Sequence, residues 1–192
     1  PVDVRNKEHR TPLVLAAING QAEATRFLLE RGARVDLADV SGTTPLHYAV
    51  AKGAAEVVRA LIEAGADVER RATGGLTALH YCVRYVLGDM DVVSCVLQAG
   101  ADVGAADDEG KTVLHHIASS RRLGDKELST LALFLGLGAD VDARDKHGNT
   151  PMDLCDDACA REVLGRAFYD QEPLRIDKWG PGGGPPSAGS GG

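Results

Sequence analysis

Aromatic residues are scarce in this chain: they make up 4% of its 192 residues, although 44% of the residues are hydrophobic. A core of this composition is built mainly from Ala, Leu and Val, which suits thin stacked layers better than one large globular centre. No apolar run approaches the ~20 residues that a membrane-spanning helix needs, and no signal-peptide pattern opens the sequence. We therefore expect no membrane insertion.

Positive charge is also in short supply, since the formal net charge is −7 at pH 7. A balance of this sign argues against nucleic acid as a partner. Ordinary solubility is the simpler account of the acidity, and attraction of a basic partner is the alternative.

Cysteine is sparse and lacks the spacing of a disulfide or zinc framework. The four cysteines, Cys82, Cys95, Cys155 and Cys159, fall on predicted helices without a CxxC pair. We expect them to be buried thiols in a reducing compartment, which places the protein inside the cell, in the cytoplasm or nucleus.

Catalytic patterns are missing as well. The sequence has no Gly-rich phosphate loop, no nucleophile elbow and no carboxylate pair. His116 and His147 have no second ligand at metal spacing, and Cys155 and Cys159 have no histidine nearby. The sequence therefore predicts no enzyme activity, no cofactor and no metal.

What the chain does contain is a repeated unit, seen most clearly between Thr43 and Val68. Thr44-Pro45 is a helix start, because the hydroxyl accepts from a free N–H and proline loses no hydrogen bond at the first position. Gly53 can adopt the left-handed backbone that ends a helix. An apolar stripe that includes Leu61 then predicts a second helix. Two helices this short need neighbouring copies to bury a core.

The copies keep a common register along the chain. The helix start recurs at Thr11, Thr44 and Thr77, 33 residues apart, and then at Thr112 and Thr150. The exit recurs as Gly32-Ala33-Arg34-Val35, Gly65-Ala66-Asp67-Val68, Gly100-Ala101-Asp102-Val103 and Gly138-Ala139-Asp140-Val141. A 33-residue period with Thr-Pro-Leu-His resembles the ankyrin-repeat family. The resemblance implies an all-α solenoid of helix–turn–helix units with short β-hairpin fingers, which line a concave groove with the first helices.

The register also predicts how the chain is divided. We expect an ankyrin-repeat domain over 1–168, a C-terminal extension over 169–180 and a Gly/Pro-rich disordered tail or linker over 181–192. Within the domain, the repeats span about 10–42, 43–75, 76–110 and 111–148, with a partial cap repeat at 149–168. Val2-Asp3 aligns with Val35-Asp36, so we expect further repeats before this sequence begins.

Several details of the repeats carry structural expectations. The resemblance implies that His47, His80 and His115, with the matching threonines, tie each helix start to its neighbour. Repeat one has Val14 in that place, and Phe27 is expected on the buried side of its second helix. In the cap, Thr150 should start one helix and Ala160 should continue as a second.

Two insertions lengthen the helix–helix turns of repeats three and four. The first carries Tyr85, Val86 and Leu87, which are either an exposed apolar anchor for a partner or part of a longer first helix that packs on the next repeat. The second carries Arg121-Arg122, which is either a solvated loop or a site for an acidic or phosphorylated segment.

The groove is the predicted binding surface, because insertions in repeat proteins usually map to a binding face. Its positions are the finger tips and the ends of the first helices: Val40, Ser41, Thr43, Lys52, Thr73, Leu76, Arg84, Tyr85, Asp108, Glu109, Lys111, Ser120, Arg121, Arg122, Lys146, His147 and Asn149. We expect a protein partner that contacts Tyr85 and Arg121-Arg122, and a chain that is monomeric by itself.

Two other roles remain open at this stage. In one alternative, the repeats serve as an architectural spacer in a longer multidomain protein. The lengthened turns also resemble those of poxviral ankyrin-repeat proteins, which implies a substrate-recognition part of a viral or cellular ubiquitin-ligase adaptor. That role depends on an F-box-like segment, and none is visible here.

Overall fold

A computed structural model of the chain describes residues 1–87, 89–120 and 123–170, with the backbone alone for 168–170. The predictions for Arg121-Arg122, for the extension from 171 to 180 and for the tail from 181 to 192 therefore lie outside the described residues.

The described ranges contain nine α-helices. They are α1 (Pro12–Ile18), α2 (Ala22–Glu30), α3 (Pro45–Lys52), α4 (Ala55–Glu63), α5 (Ala78–Tyr85), α6 (Met90–Gln98), α7 (Val113–Ala118), α8 (Asp125–Gly136) and α9 (Ala158–Asp170). The first helices α1, α3, α5 and α7 pack in one row, while α2, α4 and α6 pack in a second row behind it. The expected all-α solenoid of helix–turn–helix units is confirmed.

The core follows the repeat register. Leu13, Leu46, Leu79 and Leu114 stand at the same place in successive first helices, and all four are fully buried. Leu61 on α4 is also fully buried, as its apolar stripe predicts. Each layer therefore buries its apolar face only against the layers beside it, as in other solenoids.

Local chemistry fixes where the helices begin and end. Thr11 and Thr44 cap α1 and α3 in extended backbone geometry, and each is followed by proline at the first helical position. Gly53 ends α3 in the left-handed region at φ 72°, which a residue with a Cβ adopts only at a cost. Each second helix packs on the first helix of its own repeat, as α2 does on α1 and α4 on α3.

The fingers are tight turns and carry almost no strand structure. In each one, the N–H of the first residue donates to the carbonyl of the fifth, as in Asp107 to Lys111 at 2.9 Å. The turns span 6–10, 39–43, 72–76, 107–111 and 145–149. Within the described ranges, the one β-bridge joins Ala72 and Leu76. The fingers thus lie where the sequence predicts them, but they are shorter than full β-hairpins.

Two local predictions were wrong. Phe27 is 52% exposed and stacks under Arg31, whereas Thr25 is the fully buried residue of α2. Residues 151–154 form turns and no helix. The Asp157 carboxylate accepts from Ala160 N–H at 2.9 Å, so the chain starts α9 there.

The sequence leaves two interpretations of the insertion in repeat three open, and one of them includes a longer first helix. Helix α5 has 8 residues, the same length as α3, so the insertion does not extend it.

Among the described residues, no helix combines the length and the apolar composition that crossing a bilayer requires.

Candidate binding groove

The five fingers form one hydrogen-bonded row along the concave side. Val40 N–H donates to Glu8 O at 3.2 Å, and Thr73 N–H donates to Ser41 O at 3.0 Å. The row continues from Asp108 N–H to Gly74 O at 2.8 Å, and from Lys146 N–H to Glu109 O at 2.9 Å. These bonds hold the finger tips in a fixed spacing, which makes the rim of the groove a rigid surface.

A carboxylate at the first finger position clamps the turn from within. Asp107 Oδ1 accepts from the N–H groups of Glu109 and Lys111 at 2.8 and 2.9 Å. Burial disfavours the charged form of Asp107, but hydrogen bonds from Lys111 N–H and from the His116 ring outweigh it and lower its pKa. Asp39 clamps Ser41 and Thr43, Asp145 clamps His147 and Asn149, and the Asn6 amide oxygen clamps Glu8 and Arg10 in the same way.

The repeated histidines connect each first helix to the next finger. His47 Nδ1 accepts from Thr44 N–H at 3.3 Å, so the proton of the neutral ring lies on Nε2, which donates to Leu76 O at 3.2 Å. His80 makes the same bridge to Lys111 O at 3.2 Å, and His115 makes it to Asn149 O at 3.0 Å. Their predicted structural role is confirmed.

Burial makes the charged form of these rings unfavourable. It lowers the pKa of His47 to about 4, and it also lowers the pKa of His80. Both rings are therefore neutral near pH 7, in the state that their hydrogen bonds require. Their hydrogen bonds hold the first helices against the fingers.

Rings that follow these histidines form the floor of the groove. Tyr48 donates to Asp39 Oδ2 at 2.6 Å, and His116 Nε2 lies 2.8 Å from Asp107 Oδ2. Tyr81 packs edge-on against His47, with 4.8 Å between the ring centres. The prediction missed these floor residues, although the sequence marks them: each directly follows a repeated His in His-Tyr, His-Tyr and His-His.

Of the predicted site residues that the structure describes, most reach solvent. Exposed positions are Val40, Lys52, Thr73, Arg84, Tyr85, Asp108, Glu109, Lys146 and His147. Partly buried positions are Ser41, Leu76, Lys111, Ser120 and Asn149. Thr43 is buried, and its hydroxyl lies 2.9 Å from Ser41 Oγ, so its side chain is not presented to a partner.

One residue of the insertion in repeat three is exposed, and the next two are partly buried. Tyr85 is 53% exposed, whereas Val86 and Leu87 pack in part against the core. Tyr81 and Arg84 lie beside the Tyr85 ring, with 5.4 Å between the tyrosine ring centres and 5.7 Å from the guanidinium carbon to the Tyr85 centre. The exposed Tyr85 ring therefore contacts one aromatic ring and one guanidinium group within the chain.

The other chemical groups are dispersed. Across the described residues, no group of three His, Cys, Asp or Glu side chains is placed to hold a metal. All four cysteines are free thiols: Cys82 and Cys155 are buried, Cys95 is partly buried, and Cys159 is exposed, contrary to the expectation for that residue. Burial raises the pKa of Cys82 to about 12, which keeps it protonated.

Comparisons with known families agree with the repeat register. A profile described as "Ankyrin repeats (3 copies)" matches residues 1–72, and a profile described as "Ankyrin repeat" matches 74–108 and 109–146. A search of curated proteins finds no match to the chain. The resemblance to poxviral proteins therefore has no support from a relative.

Proposed function

Because this chain belongs to the ankyrin-repeat family, whose repeats generally act as protein–protein interaction modules, we propose that it binds a partner protein through its concave groove. The observation that supports this most is the exposure of Tyr85, an aromatic residue of the type that often dominates interfaces. Val40, on the finger of repeat two, is 67% exposed and adds a second apolar group to the same face. The solenoid's own stability does not require either exposed side chain.

The rest of the assignment follows from this role. We propose no catalytic role for the repeated histidines, because they are occupied in structural hydrogen bonds. Its unpaired thiols suit a reducing, intracellular compartment. We propose that residues 1–168 form the binding domain and that this domain is monomeric by itself. An adaptor role in a ubiquitin ligase would use the same groove for substrate, whereas a spacer role would leave the groove empty.

Replacing one groove aromatic tests the proposal. Tyr85→Ala should weaken capture of the partner from a cell extract by about thirtyfold if the residue is a hot spot worth ~2 kcal/mol. Quantitative mass spectrometry of material retained on the immobilised protein measures the change.

The matched control is Phe27→Ala. Phe27 is equally exposed and also stacks with an arginine, but it lies on α2 in the second row of helices. Retention that falls equally in both variants, or in Phe27→Ala alone, would contradict binding through the groove. Retention that changes in neither variant would favour the spacer role.

A further inference from the structure

We infer that repeat three recognises an acidic side chain of the partner, whose carboxylate accepts hydrogen bonds from the Tyr81 hydroxyl and the Arg84 guanidinium. This inference rests on the proposed function, since it assigns a chemistry to one part of the same groove. It comes from a comparison of repeat three with repeat two: Tyr81 and Tyr48 stand at the same position, whereas the arginine of repeat two, Arg10, comes from the first finger and Arg84 lies on α5.

Repeat two contains the complete arrangement within the chain. Tyr48 donates to Asp39 Oδ2 at 2.6 Å, and Arg10 Nη2 donates to the Tyr48 hydroxyl at 3.3 Å. Arg10 Nε lies 3.7 Å from the same Asp39 oxygen. The Asp39 carboxylate therefore accepts a hydrogen bond from a tyrosine hydroxyl and forms an ion pair with a guanidinium whose Nε makes no hydrogen bond. Hydrogen bonds to a charged carboxylate are the stronger class.

Repeat three has the tyrosine and an arginine but no carboxylate. Ala72 stands where repeat two has Asp39, and the Tyr81 hydroxyl has no hydrogen-bond partner within the described ranges. Arg84 is exposed and makes no ion pair with any described residue. The two residues are three apart on α5, so they share one face of the helix with Tyr85, which follows one residue later.

Tyr85 pre-positions the cation of this pair. The Arg84 guanidinium carbon lies 5.7 Å from the centre of the Tyr85 ring, within the range of a cation–π contact. The Tyr81 ring is held between His47 and Tyr85, at 4.8 and 5.4 Å between centres. Both side chains therefore have ring contacts before a ligand arrives, which limits the side-chain freedom lost on binding.

The surroundings of the pair favour an anion over a cation. Arg71, directly before the Ala72 that replaces the carboxylate, is exposed and forms no ion pair among the described residues. The finger tip carries Gly74 and Gly75, so no side chain from it covers the approach. Asp108 is the opposing charge, since its carboxylate lies against Gly75, but it is exposed and so is screened by solvent.

The finger of repeat three also has a different backbone. Gly74 is in the left-handed region at φ 82°, whereas Ser41, at the same place in repeat two, is not. A finger rebuilt to supply its own carboxylate therefore needs Ala72→Asp together with Gly74→Ser, which restores the residues that clamp the finger of repeat two. This double variant should be folded and should fill the site from within.

Sodium acetate is a suitable probe, titrated against the full chain at constant ionic strength by replacement of sodium chloride. We expect a saturable shift of the Arg84 Nε–H resonance in 1H–15N spectra of the wild type. Tyr81→Phe should weaken this response by about tenfold, because it removes a hydrogen bond to a charged group. Ala72→Asp/Gly74→Ser should abolish the response. Tyr48→Phe is the matched control and should leave it unchanged, since Asp39 already occupies Tyr48.

Three results would overturn the inference. They are no shift in the wild type, an equal shift in Ala72→Asp/Gly74→Ser, and a larger shift with phosphate than with acetate. None of them touches the proposed function, which depends on the loss of partner capture in Tyr85→Ala. Conversely, the wild type could show the acetate response while capture of the partner does not depend on Tyr85. That pair of results would support the anion site and would contradict the groove as the docking surface.

Discussion

At the scale of single residues, the buried histidines explain how a groove is held without a large core. Each neutral ring receives a hydrogen bond from its own helix start and gives one to the next finger, as His47 does between Thr44 and Leu76. Protonation of Nδ1 would break the first of these bonds and place a charge among apolar side chains. The stability of the groove is therefore linked to pH.

The sign of this link follows from the lowered pKa of His47. The pKa of His47 is 6.5 in the unfolded chain and about 4 in the folded protein. Between these two pH values, His47 is protonated in the unfolded chain and neutral in the folded protein. The free energy of unfolding therefore falls as the pH falls through this window. The full shift corresponds to a loss on the order of 3 kcal/mol. Urea denaturation at a series of pH values measures it, with His47→Gln as the comparison. An equally steep pH dependence in that variant would contradict the assignment.

The sequence predicted the role of these histidines because they recur in register, but register alone misplaced Phe27. One period later its counterpart is Ala60, which is 6% exposed. A phenyl ring is too large for the space that an alanine methyl occupies between packed helices, so the ring turns outward and stacks with Arg31.

At the scale of the element, each finger depends on one carboxylate more than on strand pairing. The Asp107 side chain satisfies two backbone N–H groups and the His116 ring, in a turn closed by few backbone bonds. Repeat three does without this clamp and uses two glycines, Gly74 and Gly75, with positive φ. The fingers thus have two distinct constructions within one rigid row.

Asp107→Ala should destabilise the protein by ~1–3 kcal/mol, because it leaves partly buried donors unpaired. Amide hydrogen exchange at Glu109 and Lys111 should accelerate more than exchange in α4, which lies two repeats away. Asp108→Ala is the control in the same finger: Asp108 is exposed, so the change should stay within ~0.5 kcal/mol. Equal losses in both variants would show that the clamp does not stabilise the finger.

Sequence reasoning located the fingers but not their detailed form, because the spacing of Asp and Gly fixes a turn and not the length of pairing around it. It also predicted a helix that starts at Thr150, ahead of the second helix of the cap. There, Asp153 accepts from the Thr150 N–H and hydroxyl, and Asp157, four residues later, accepts from the Ala160 N–H near the start of α9. The first carboxylate caps only a turn, and the helix of the cap begins at Ala158.

At the scale of the whole molecule, the period of 33 residues was sufficient to predict the stacked rows of helices, because every layer repeats the same apolar positions. The groove is less predictable, since its positions are those that the repeat leaves free to vary. The prediction named the exposed rim, including Tyr85, but it missed the floor residues Tyr48, Tyr81 and His116. Their partners lie on fingers, and such pairings appear only when the fold brings helix and finger together.

The central claim is that the partner lies on the concave face, and site-specific photo-cross-linking tests it most directly. A benzophenone amino acid placed at Tyr85, and separately at Phe27, samples two equally exposed aromatic positions on different rows of helices. After irradiation in cells, we predict a cross-linked protein partner from position 85 and none, or far less, from position 27. A partner cross-linked from position 27 and not from position 85 would contradict the account.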